Sequence, residues 1–555
     1  MWVLFQYRRI WKDVERELVP EWQDVSRPCE HEQMEVHHKY DEHHTQEEIN
    51  SLYFNDEVGS IDAHSWNTAT KWMATLIVCC ISGVVAMVTA IQASLVTVIA
   101  ADFQVSQEAE NCATGKISPF IVDTAKPLGM FLFGFAVGSL VTGPFSETCG
   151  RNLVFSVTMG LMMCCLALSG ISHTLAQQLV FRFLAGFLGS SPLVCAGGSI
   201  SDMWTPVERV YVFPVFAIVS FIGTPIAPII GGYLARNNAS WRWNDWISIA
   251  VTGFFLLLVV LILPETFRPL LQRAKTHVIR KRTDKWEVPE NPQFKAQPPL
   301  WRKIIDGLWR PFVLTAYEPI VVLFTFYLSL IYIILLSSLS GYTFIFSNTY
   351  GLDNAQTGLT FLGMLAGNCA SGFLIPYGKK LYARDLEKAI AMAEEHNDDQ
   401  RRNHSDSDSQ ELIKTEDVSP PPESQLYYAM VGAPFIPISL YWMAYTARPD
   451  ISYWSPIVGS SLFGFGFSLV FVSCYQYLSS CYGIWTASAL SAVNFLRALA
   501  SGGMFIASMP MYQAMGVMWT LTMLAIAATV MVPVPYAFYK WGRKVRKLSK
   551  HACKD

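Results

Sequence analysis

The chain is 555 residues long, 52% hydrophobic and 13% aromatic, with only 15% charged residues. Soluble domains carry about 25% charged residues, so this composition excludes an ordinary water-facing protein, and the length does not translate into three or four soluble domains. The formal net charge of −3 identifies no partner until it is divided among the loops.

In chain order, the opening MWVLFQYRRIW has too short an apolar core before its charges for a cleavable signal peptide. The first long apolar segment, beyond residue 70, is expected to act as the insertion signal. Residues 1–71 are polar and acidic on balance, the composition of a mostly disordered tail. His31, His37, His38, His43 and His44 lie there among acids. Clustered histidines can bind metal, but this spacing matches no defined site; a solvated, weakly pH-sensitive tail is expected, with neither metal nor cofactor.

Apolar segments then follow at 72–99, 125–145, 153–171, 176–200, 210–234 and 246–264, and again at 314–346, 355–377, 427–447, 453–477, 487–510 and 515–538. About 20 apolar residues span a bilayer. The pattern predicts an all-α membrane protein of twelve transmembrane helices in two six-helix halves, residues 72–264 and 312–538. A basic central loop, 265–311, joins the halves. A flexible loop covers 378–426, and a basic tail covers 539–555. Cys79, Cys80, Cys164, Cys165, Cys195, Cys369 and Cys474 fall inside apolar runs, where they act as small packing residues. No metal-type cysteine spacing accompanies them.

Charge sets the expected orientation. The 265–311 loop carries eleven Lys/Arg, the 378–426 loop seven and the C-terminal tail seven, against Lys116, Lys126, Arg236, Arg242 and Arg448 on the other side. Basic residues concentrate in cytoplasmic loops, so both termini are placed inside, most simply at the plasma membrane. The run RRNHSDSDSQ…SPPPES within 378–426 is low-complexity and reads as a linker. Asn403 starts a sequon on the cytoplasmic side; Asn238 starts one on the outer side, in a short loop, and is the glycosylation candidate.

Few residues carry mechanism. Ionisable groups inside a span are costly and functional by default. Arg182, in LVFRFLAGFLGSSPLV, sits several residues inside span four, where a buried role outweighs snorkelling to the interface. Arg497 sits near the middle of span eleven with Asn494 one turn earlier; a structural pair and a substrate contact both fit. No Asp or Glu lies mid-span in the segments as bounded above. Glu147, Asp202, Glu265 and Glu318 are the nearest acids, all at the cytoplasmic face. Between spans two and three, Gly143 and Gly150 permit a tight turn in GPFSETCGRN, and Glu147 and Arg151 are spaced to pair with each other or with helix ends. In span five, Pro225 and Pro228 each remove a backbone hydrogen bond, and Gly223, Gly231 and Gly232 allow close helix approach. They form either a hinge that rocks or a bent packing helix.

GPFSETCGRN, placed between the second and third of twelve spans, resembles the G-x-x-x-D/E-x-x-G-R loop of the major facilitator superfamily. Arg182 to Gly189 looks like that family's span-four R-x-x-x-G. Gly223 to Gly232 is similar to the G-x-x-x-G-P-x-x-G-G signature of drug/proton antiporters, with Ala227 in place of a glycine. With RFLAGFLGSSPLVCAGGSISDMW, Val207-Glu208-Arg209, LPETF and RPF…EPI, the resemblance narrows to fungal twelve-span drug:proton antiporters and covers about residues 70–545. It implies a gating latch at Gly143, Glu147, Gly150 and Arg151, and a proton-transfer role for Arg182. Ser480 stands where many relatives carry an Asp, and Gly378-Lys379-Lys380 keeps only fragments of the latch motif in the second half.

By that architecture a midplane cavity would draw on Gln92, Ser190, Tyr332, Tyr342, Asn368, Tyr475, Gln476 and Asn494. Few polar groups in an apolar cavity suit bulky amphipathic ligands, and the scarcity of buried acids argues against a polycation site. The expected function is proton-coupled efflux of amphipathic small molecules such as drugs, toxins or secondary metabolites, by a monomer. An uptake permease for a nutrient or polyamine is the nearest rival, and a non-transporting membrane sensor stands as the alternative from another class. Neither an enzyme nor a nucleic-acid partner is indicated.

Overall fold

A computed structural model of the chain describes Gln6 and residues 63–94, 119–237, 240–283, 300–403, 420–482 and 486–549. Among the described residues every regular element is a helix. That is what a lipid solvent demands, because each backbone N–H and C=O must be satisfied within its own segment. Eleven described helices are long and apolar enough to cross a bilayer, from Thr68–Ala90 to Ser488–Leu548. The last of these holds two crossings. Gly516 adopts φ 75° and ψ 168° inside Thr486–Met531, a left-handed φ that glycine accepts without a Cβ penalty, and it separates spans eleven and twelve. The result is twelve spans, six on each side of the central stretch.

Local chemistry sets the helix ends. Asn67 accepts from Ala69 N at 3.4 Å to start span one, and Thr174 accepts from Gln177 N at 3.3 Å to start span four. Capping boxes at Thr205/Glu208 and Asp353/Gln356 open spans five and eight. Span one runs Thr68–Ala90 and passes into a short turn, Ile91–Ser94; residues 95–99 of the expected segment lie outside the described residues. Span six begins at Arg242, four residues before the expected 246, and this places Asp245 inside it.

Two stretches expected to be loops contain helix. Arg268–Thr283 and Leu300–Tyr317 lie in or across the 265–311 stretch. Span eight continues as Ile375–Asn403 into residues expected to form a flexible loop. The reason is composition: LYARDLEKAIAMAEE is rich in strong helix formers, and Lys388 pairs with Asp385 one turn away at 3.4 Å. In the N-terminal tail, Gln6 is buried and clamps Glu265 from both sides. Glu265 N donates to Gln6 Oε1 at 2.9 Å, and Gln6 Nε2 donates to Glu265 O at 3.1 Å. The histidine cluster and Asn238 lie outside the described residues.

Small residues set how close the spans come. A Cβ on Gly223 of span five would overlap the Gly83 carbonyl of span one. Spans two and four interlock through Gly134, Gly138 and Gly186, and spans eight and ten interlock in the same way through Gly367 and Gly464. The same pairing thus recurs in each half. Two seams join the halves. Span two meets span eleven at Gly129, Ile506 and Gly502; span five meets span eight at Gly232, Asn354 and Gly358.

Candidate functional site

Three groups of residues stand out, and the first is at the bundle end that carries Gly150, here called the motif end. Gly150 has φ +95° and leaves room for Glu265; a Cβ there would come within 2.8 Å of Glu265 Oε2. The Glu265 carboxylate, from LPETF, accepts from Arg151 N at 2.9 Å and Asn152 N at 3.1 Å. It also accepts from Thr266 N and Phe267 N, so it caps the start of span three from beyond the end of span six. Burial pushes this carboxyl above its usual range, and those backbone donors oppose the shift. The Arg151 guanidinium pairs with Asp202 at 3.3 Å, bonds Ser146 Oγ and lies over Phe267. Glu147 and Arg151 are spaced to pair with each other or with helix ends: Arg151 reaches Asp202 at the end of span four, and the exposed Glu147 also acts on its guanidinium electrostatically. Gly143 packs near Ser491 of span eleven. The arginine holds three spans together at this end.

The second group lies in the first half toward the opposite, far end. Arg182 and Asp245 are 1% and 0% exposed and form an ion pair between spans four and six. With its amide turned oxygen-first, Gln92 accepts from Arg182 Nε at 2.9 Å. This corrects one expectation and adds a partner. Gln92 holds that arginine rather than lining the cavity, and the charge of Arg182 is compensated by a carboxylate inside a span. Asp245 lies one residue before the expected start of span six at 246, but inside the helix that begins at Arg242.

The third group is a central cavity of about 680 Å³ between the halves. Spans one, two, four and five line one side, and spans seven and eleven the other. Ser82, Phe135, Phe221, Tyr332, Leu336 and Arg497 are representative lining residues. The wall is mainly apolar. Its hydroxyls at Ser82 and Thr89 donate to the carbonyls of Val78 and Val85, one turn back in their own helix. Arg497 is 2% exposed, with its guanidinium carbon 3.9 Å from the Tyr332 ring centroid and 5.8 Å from that of Phe471. A smaller space of about 240 Å³ adjoins it, lined by Phe221, Asn368 and Ser468 among others.

The expected cavity residues therefore divide. Tyr332 lines the main cavity and Asn368 the annex, where Asn368 Nδ2 donates to Ile218 O at 2.9 Å. Tyr475 donates to Asn494 Oδ1 behind Phe471. Three others sit elsewhere, because helix packing claims their side chains. Ser190 donates to Phe187 O at 2.9 Å at the contact of spans two and four. Tyr342 is packed against Phe346 and Phe361 toward the far end. Gln476 Nε2 reaches Arg209 O and Val210 O at 3.3 and 3.4 Å and ties span ten to span five at the motif end. In span five, Pro225 and Pro228 lie within an unbroken helix, Pro206–Arg236, with Gly231 and Gly232 buried near its far end. At the far end Arg236 pairs with Asp353 at 3.3 Å, so the halves touch on both sides of the cavity.

The family profile described as Major Facilitator Superfamily matches residues 77–505. The chain is 37% identical over 496 residues to the MFS-type transporter kojT of Aspergillus oryzae, covering 88% of this chain and 80% of that one. It is 30% identical over 488 residues to the MFS-type efflux pump MFS2 of Trichophyton rubrum, with 88% and 75% covered. It is also 30% identical over 425 residues to the efflux pump FUBT of Fusarium oxysporum, with 77% and 67% covered. Among solved structures, the proton:xylose symporter XylE superposes with a TM-score of 0.58 at 12% identity over 86% of this chain and 96% of that one. The human organic anion transporter MFSD10 gives 0.56 at 14% identity, with 85% and 100% covered; both likenesses concern the fold alone. Twelve spans in two halves around a central cavity, the family match and these relatives make the chain a multi-pass membrane transporter, not an enzyme, and a member of the major facilitator superfamily.

Proposed function

We propose that this transporter exports amphipathic small molecules across the plasma membrane, as a monomer and at the expense of a proton gradient. The observation that carries this reading is the mainly apolar cavity, walled by both halves and flanked by a contact between them on each side. A ligand there can be exposed to either face by rocking the halves, and apolar walls with few polar groups suit amphipathic ligands better than sugars. Two similar proteins carry the name efflux pump. The basic loops join the motif end and orient it to the cytoplasm with both termini.

Gly143, Glu147, Gly150 and Arg151 act as a latch in this reading, with Asp202 and Glu265 as the acids that Arg151 and the span-three amides engage. Proton coupling runs through Arg182 and Asp245, since releasing the arginine would let the carboxylate take a proton. The test is export of a fluorescent amphiphile from intact cells expressing the protein with a tag on each terminus. Faster export that a protonophore abolishes, with both tags reachable only after permeabilisation, is expected. Export equal to that of empty cells, or an externally exposed terminus, would overturn the proposal.

A further inference from the structure

We propose that the central cavity selects molecules pairing a compact organic anion, such as a carboxylate, with an aromatic or apolar body, and that Arg497 binds the anion. This rests on reading the cavity as the seat of the transported ligand and narrows its chemistry. Of the buried arginines Arg151, Arg182, Arg497 and Arg546, three face a carboxylate: Asp202, Asp245 and Glu423 respectively. Among the described residues Arg497 has no carboxylate within ion-pair distance, and its Nε and Nη1 have no hydrogen-bond partner.

A guanidinium stays charged at any physiological pH, and a buried charge with unmet donors is costly. The Tyr332 ring at 3.9 Å attracts the cation but leaves Nε and Nη1 without a hydrogen-bond partner. Each of them shares an edge of the guanidinium with Nη2–H, the fork geometry that matches a carboxylate bidentately. No Asp or Glu is among the residues lining the cavity, so a bound cation would meet Arg497 with nothing to offset it. Phe135, Phe221 and Tyr332 supply the aromatic wall for the rest of the ligand. The site thus favours an aromatic acid over its neutral isostere and disfavours the corresponding amine.

The experiment uses purified full-length protein in lipid nanodiscs, with radiolabelled 2-naphthoate displaced by 2-naphthamide or 2-naphthylmethylammonium at neutral pH. A charge-assisted hydrogen bond lost from a buried site corresponds to about tenfold or more in affinity. Naphthoate is expected to bind at least about tenfold more tightly than the amide, and the ammonium compound not to compete. Arg497→Gln should remove that preference, bringing acid and amide to within about twofold of each other, and Arg497→Lys should retain part of it. Equal binding of acid and amide, preference for the amine, no binding of naphthoate, or an unchanged preference in Arg497→Gln would overturn the inference. The wild-type comparison decides the matter even if a variant fails to fold. Binding needs no transport: naphthoate selectivity without export removes the export reading alone, and export without selectivity removes this inference alone.

Discussion

Burying Arg182 beside Asp245 strips both charges of hydration, and their mutual attraction offsets that loss only while both are present. Removing one partner of a buried pair costs about 3–5 kcal/mol, whereas replacing both with apolar groups is often neutral. Asp245→Asn is therefore expected to lower the melting temperature of the purified protein sharply and to abolish energised export. The double variant Arg182→Met/Asp245→Leu is expected to regain most of the stability and none of the export. A melting temperature for Asp245→Asn equal to that of the wild type would remove the pair from the account. Arg182 was legible in the sequence because a charge flanked by Phe181 and Phe183 inside an apolar run is conspicuous. Asp245 was not, since it sits between Trp243 and Trp246, where an aromatic belt at the span's edge hides the start of the buried helix. Likewise the spacing of Glu147 and Arg151 is legible in the sequence, while Asp202, which engages the same guanidinium, comes from 51 residues away, at the end of another span.

At the scale of the element, span five shows what its glycines and prolines do in the folded protein. It stays helical through Pro214, Pro225 and Pro228, and its glycines mark contacts: Gly223 against Gly83 in the same half, Gly232 against Asn354 in the other. Gly223→Ala forces a methyl into the Gly83 carbonyl, and overpacking of this kind costs about 1–3 kcal/mol. Thermal melting should show that loss, while Gly503→Ala should melt like the wild type, since a methyl there meets nothing within 4 Å. Equal melting of the two variants would mean that span five does not depend on this approach. Close packing was legible in the spacing of the glycines, but the identity of the helix each one faces was not. Charged stretches act in the opposite direction: residues 375–403 are too polar to read as part of a span, yet their helix propensity carries span eight onward.

Over the whole molecule, the twelve spans and their division into two halves follow from apolar run length alone. Which ends of the halves meet depends on long-range packing, and single runs carry no trace of it. The halves touch at the motif end through Gln476 and Val210 and at the far end through Arg236 and Asp353. The central claim is that these two contacts open alternately around one cavity. Its most direct test joins each contact covalently in a variant whose native cysteines have been replaced. Gln476→Cys with Val210→Cys closes the motif end, and Arg236→Cys with Asp353→Cys closes the far end, each bridged by a short, reducible bifunctional thiol reagent. Export of the fluorescent amphiphile should stop with either lock in place and return when the bridge is reduced. Export at the unlocked rate with either end held shut would contradict alternating access through this cavity.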